Sequence, residues 1–234
     1  MNIAISIIRL FWSFVNVKKL ILCYNKENME QAETNGYLIL TAAAFSNPKV
    51  KDFIKEKVSS LDKKRVAIIP TASEGKGNNK YSILAKDIYV EMGAEKVFFV
   101  DIETEINFDF KNTDVIHLCG GNSFKLLHFA RLRNLDSIIK DLISRGGICI
   151  GVSAGSLILG PSIKIASEVR PDINEINETN FKGLNLTNTI IFPHYEEEVE
   201  DDILNFETEN RVQVTRLRND QAIVIQGTES FTIQ

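Results

Sequence analysis

From Gly36 onward the chain repeats one pattern: a short, continuously apolar run, then a longer stretch with apolar residues three and four positions apart. Runs of the first kind are Tyr37–Thr41, Arg65–Pro70, Lys96–Asp101, Asp114–Cys119 and Gly147–Gly151. Their length and lack of alternation predict strands buried on both faces. The second kind covers Asn47–Leu61, Tyr81–Met92, Ser123–Arg131 and Leu135–Ser144, where spacings such as Val50, Phe53, Ile54 and Val58 predict amphipathic helices. Gly93 is the expected stop of the second helix. Strands alternating with helices predict an α/β fold, a mostly parallel sheet with helices on both faces.

Past Gly155 the order loosens. Ser162–Ala166 reads as a short strand, Ser167–Asn180 as an acidic loop, Thr187–Phe192 as a strand ending at Pro193-His194, and Glu196–Arg211 as a helix. Val212–Leu217, Ala222–Gln226 and Ser230–Gln234 read as closing strands, with a hairpin around Gly227-Thr228. Residues 1–35 stand apart as an N-terminal extension, leaving 36–234 as the core domain. Residues 1–23 are apolar but interrupted by Arg9, Asn16, Lys18 and Lys19, with the charge on the wrong side for a secretory signal and no uncharged run long enough to span a bilayer. An interfacial or packed helix is open there, membrane contact is not the expectation, and Met29 is an alternative initiator.

The 234 residues suit one such domain, and a net charge of −4 gives no basic surface for nucleic acid. Cys23, Cys119 and Cys149 are far apart, and the last two sit in apolar runs as reduced thiols, which fits a cytoplasmic protein. Three histidines without metal-ligand spacing predict no metal, and no cofactor is called for. A homodimer is an open expectation.

The chemistry gathers at Gly151-Val152-Ser153-Ala154-Gly155, a G-x-S-x-G sequence between a predicted strand and a predicted helix. Such a nucleophile elbow holds its serine in a strained turn with the hydroxyl exposed, and the flanking glycines leave room for the neighbouring strand and helix. A serine needs a base, and of the three histidines only His194 falls just past a strand end, on the rim where ligands gather in open sheets. Glu168 is the first candidate for the carboxylate that orients it, with Asp172 second. The Ala154 N–H and a donor from the Gly120-Gly121 loop would hold an oxyanion. Asn122 is equally suited to capping the next helix.

Three blocks, Cys119–Leu127 (CGGNSFKLL), Gly151–Ile163 (GVSAGSLILGPSI) and Asn188–Glu198 (NTIIFPHYEEE), resemble the peptidase E (aspartyl dipeptidase) family of serine peptidases, relatives of cyanophycinase. Ala67–Ser73 and Asn219–Gly227 match the same pattern, so the resemblance runs from about Gly36 to the end. It implies a class I glutamine amidotransferase-like, flavodoxin-like three-layer sandwich, with Ser153 as nucleophile, His194 as base and Gly121 beside Ala154 in the oxyanion hole. It places the acid fifteen positions after the serine, at Glu168, where the family has Asp; relatives that set it later keep Asp172 open. It also implies short peptide substrates, including those with N-terminal aspartate, which would need a cation. Asn122 and Arg170 are the candidate substrate contacts, although an exposed arginine is by default a solvated loop charge. An esterase or amidase, or a catalytically silent binding module, are the rival expectations; glutamine amidotransferase chemistry would put Cys at the elbow.

Overall fold

The computed structural model describes residues 36–61 and 63–234, so the predicted extension, with its apolar segment, lies outside the described residues. Among the described residues nine strands form, β1 (Tyr37–Thr41), β2 (Arg65–Ile69), β3 (Lys96–Phe99), β4 (Val115–Leu118), β5 (Ile148–Val152), β6 (Ile190–Pro193), β7 (Val214–Leu217), β8 (Ala222–Gln226) and β9 (Glu229–Ile233). The helices between them are α1 (Pro48–Ser59), α2 (Lys80–Glu91), α3 (Ser123–Leu132), α4 (Leu135–Ser144), the single turns α5 (Ala154–Leu157) and α6 (Ile165–Glu168), and α7 (Glu200–Asn210).

Seven strands make one sheet in the order β3-β2-β4-β5-β1-β8-β9. The first five are parallel, and β8 and β9 extend the sheet antiparallel beyond β1. Gly227, at φ 58°, turns the expected β8–β9 hairpin. Side chains alternate across this sheet, so Leu38 and Leu40 enter a core with Phe124, Leu127, Ile139 and Leu142 of α3 and α4, while Ile39 enters a second core with Val50, Ile54, Ala85 and Ile88 of α1 and α2. Both faces are therefore covered, as the continuous apolar runs require. Three of the five long helices start on a capping asparagine: Asn47, Asn79 and Asn122 each accept a backbone N–H of the first turn.

Two features differ from the sequence reading. Ser162–Ala166 is not a strand: the Ser162 side chain accepts the Lys164 N–H at 3.1 Å, which bends the chain into α6 and leaves one bridge between Ser162 and Lys182. Strands β6 and β7 pair with each other, in parallel, as a separate two-stranded sheet whose residues close over the α3/α4 side.

Candidate active site

The end of β5 is bound to the end of β1 by buried polar contacts. Thr41 Oγ1 donates to the Gly151 carbonyl at 2.8 Å, the Thr41 N–H donates to Ser156 Oγ at 2.8 Å, and Ser156 Oγ donates back to the Thr41 carbonyl at 2.8 Å. The Ser153 N–H completes the set on the Thr41 carbonyl at 2.9 Å. Thus clamped, the turn carries Ser153 at φ 53° and ψ −116°, a conformation a β-carbon disfavours. The elbow glycines are where the expectation put them. A β-carbon on Gly155 would stand 2.3 Å from the Leu118 carbonyl oxygen of β4, and one on Gly151 would stand 2.6 Å from the Ser156 α-carbon. The helix after the serine is one turn long, so the neighbouring N–H groups matter more than a macrodipole.

His194, just past β6 and also at positive φ (57°), places Nε2 2.9 Å from Ser153 Oγ. Its Nδ1 lies 2.6 Å from Oδ1 of Asn219, in the turn between β7 and β8. If Nδ1–H donates to that amide oxygen, Nε2 is left as the acceptor of the serine proton. Asn219 is held in turn: Ser46 Oγ donates to its carbonyl at 2.5 Å, and Asn47 Nδ2 donates to the Asp220 carbonyl at 2.6 Å. The connection from β1 to α1 therefore fixes the residue that orients the imidazole.

That geometry corrects the expected acid. Glu168 is engaged on the far side of α6, where its carboxylate meets Lys164 Nζ at 3.1 Å and Asn210 Nδ2 at 3.5 Å. Asp172 accepts the Ser123 N–H at 2.8 Å, at the start of α3 where a carboxylate suits the helix end. Neither meets His194. Arg170 is paired with Glu196 at 3.0 Å, and Asn122 is taken up as a helix cap with its Nδ2 on the Ile173 carbonyl at 2.6 Å. The two candidate substrate contacts thus have structural partners.

Gly120 and Gly121 lie beside the serine. A β-carbon on Gly120 would come within 3.1 Å of Ser153 Cβ, and one on Gly121, at φ 125°, would stand 2.0 Å from the Ala72 carbonyl oxygen. The β2 loop thus holds this turn by close backbone approach, and Ser73 Oγ donates to the Gly120 carbonyl at 2.7 Å. Ser153, His194, Asn219 and Gly121 open onto one cavity of about 910 Å³, on the α1/α2 side of the sheet at the carboxyl ends of its strands. Cys119 and Cys149 do not compete as nucleophiles. Burial pushes the Cys119 thiol up to about 11 and the Cys149 thiol further still. Among the described residues no cluster of His, Cys, Asp and Glu could hold a metal, and no helix is long and apolar enough to cross a membrane.

An α/β sheet that presents a serine on a strained elbow against an imidazole defines a serine-type hydrolase. The comparisons narrow this: residues 38–233 match the family model of peptidase family S51, and the chain belongs to that family. It is 32% identical over 182 residues to an uncharacterised peptidase of Listeria monocytogenes, covering 74% of this chain and 88% of the relative. A peptidase E of a Nostoc species is 30% identical over 180 residues, 76% of this chain and 66% of that protein. Among solved structures, a candidate peptidase E protein of Listeria monocytogenes superposes with a TM-score of 0.70 at 29% identity, over 86% of this chain and 98% of that one. A peptidase from an acI-B1 actinobacterium shares the fold, with a TM-score of 0.64 at 18% identity over 85% of this chain and 87% of that one. The protein is a serine peptidase, as the peptidase E resemblance implied.

Proposed function

We propose that the protein hydrolyses short peptides through Ser153, with His194 as general base and Asn219 as the residue that positions it. The observation that carries this reading is the 2.9 Å approach of His194 Nε2 to Ser153 Oγ at a backbone strained into the elbow conformation. In the first step Oγ attacks the scissile carbonyl carbon while Nε2 takes its proton. The carbonyl oxygen becomes an oxyanion within reach of the Ala154 and Gly121 N–H groups. The protonated imidazole then gives its proton to the departing amine, leaving the acyl group esterified to Ser153. Water, deprotonated by the same nitrogen, attacks that ester, and the acid leaves as the serine regains its proton. A site that opens onto a cavity at the ends of the strands favours short, flexible substrates over folded chains.

The test is hydrolysis of a panel of dipeptides and tripeptides by wild type and Ser153→Ala in parallel. We expect kcat/KM to fall by at least about 10³-fold in the variant, as when a serine nucleophile is removed elsewhere. Turnover that survives the substitution would remove Ser153 from the mechanism.

A further inference from the structure

The cavity that meets Ser153 has mostly uncharged walls. One side is a face of α2: Tyr81, Leu84, Ala85 and Ile88 follow the i, i+3, i+4, i+7 spacing and all line it. Tyr81 and Leu84 are 67% and 53% exposed, so this apolar face of the helix stays open to a ligand, as Ile83 and Val90 of the same helix stay open to solvent. The opposite side is the small-residue run Ala42–Ala44 followed by Phe45. Phe45 stacks on the His117 ring at 5.9 Å between centroids, and His117 with Cys119 forms the floor. Burial holds His117 down to about 4, so the floor is neutral at ordinary pH.

Charge is confined to Lys51 and Glu74, and Lys51 Nζ lies 3.7 Å from Glu91 Oε2. Two basic groups from neighbouring loops are engaged elsewhere. Lys76, in the same loop as Glu74, meets Asp101 at 2.5 Å and Glu103 at 2.6 Å, while Arg170 pairs with Glu196 and does not line the cavity. Among the described residues the one cation that lines the cavity, Lys51, is already shared with Glu91, so an aspartate side chain placed here would lose water for little ionic compensation, which is costly for an ionised carboxylate.

We infer that this cavity receives the side chain of the residue whose carbonyl Ser153 attacks, and that it selects a large uncharged apolar group, of the leucine, methionine or phenylalanine kind, over aspartate. The inference rests on the proposed serine mechanism and departs from the aspartyl preference the family resemblance implies.

Aminoalkyl diphenyl phosphonates test it without depending on turnover. Serine Oγ attacks phosphorus and expels phenoxide, leaving an adduct that mass spectrometry assigns to Ser153. Probes with benzyl, isobutyl and carboxymethyl side chains are compared by rate of adduct formation, with a small fluorophosphonate as a reference for serine reactivity. The benzyl or isobutyl probe is expected to react at least about tenfold faster than the carboxymethyl probe, since hydrophobic pockets discriminate on that scale. Leu84→Arg and Tyr81→Arg, both at half-exposed or more exposed positions where folding is preserved and checked by thermal melting, should each lower that ratio at least about tenfold by supplying a cation. A carboxymethyl probe that matches or beats the apolar ones, or a ratio unmoved in both arginine variants, overturns the apolar assignment while leaving Ser153 reactive. If neither the phosphonates nor the fluorophosphonate modify Ser153, the serine mechanism itself falls, and the assignment with it.

Discussion

At the scale of single residues, the partner of His194 is the least expected feature. A carboxylate at that place favours the imidazolium that forms during catalysis, whereas the Asn219 amide only orients the ring. Asn219→Ala should lower kcat/KM by about 10²-fold, less than the roughly 10⁴-fold loss seen where a triad carboxylate is compromised. Asn219→Asp should keep the plateau rate and move the acid limb of the kcat/KM profile to higher pH, because a neighbouring carboxylate stabilises the protonated, inactive base. Equal profiles for the Asp variant and wild type would show that position 219 does not act through His194. Ser153 and His194 were legible in the sequence because one carries a motif and the other sits past a strand. Asn219 was not, since an Asn-Asp pair between two strands reads as a turn and an amide lacks the charge expected beside the imidazole. Glu168 and Asp172 had the right chemistry, but local partners, Lys164 and the start of α3, hold them.

At the scale of elements, periodicity placed the strands and helices of the main sheet closely, because each is long enough to show its period and buried enough to need it. The elbow was equally legible, as its glycines answer to contacts any tight strand–helix turn would make. The Thr41–Ser156 clamp was not, because two hydroxyl residues far apart in sequence carry no pattern that pairs them. Likewise β6 and β7 read as strands, but their pairing apart from the main sheet depends on non-local contacts. The elbow's packing gives a prediction of its own. Gly155→Ala sets a β-carbon against the Leu118 carbonyl of β4, backbone that cannot swing away, so either the strand or the turn must shift. Stability measured by urea unfolding should drop by about 1–3 kcal/mol, the usual cost of overpacking, and the variant should label more slowly at Ser153 than wild type. Wild-type labelling with lowered stability would show that the elbow geometry survives the strain.

Across the whole molecule, titratable groups on the two sides of the sheet have different consequences for pH. On the α1/α2 side His117 is enclosed by Tyr89, whose hydroxyl is 2.9 Å from Nδ1, by Phe45 and by Cys119. Burial keeps the Tyr89 hydroxyl and the Cys119 thiol protonated, so neither supplies a negative charge to favour the imidazolium. His117 is neutral in the folded protein down to about pH 4, while in the unfolded chain it takes a proton near its ordinary value of 6.5. Between those limits the unfolded state binds more protons, so stability falls as pH is lowered from 6.5 toward 4 and this contribution levels off below. The gap corresponds to about 3 kcal/mol. On the other side, Arg216 holds Glu200 and Glu207 below the usual carboxylate range, and their contribution is lost only as pH falls through that lower window. The two windows separate these contributions experimentally. His117→Gln keeps a neutral acceptor for Tyr89, so urea midpoints measured at pH 7.5, 6 and 5 should decline in wild type and stay nearly level in the variant. Parallel declines in both would mean that the histidine beneath the cavity does not set the acid sensitivity of the fold.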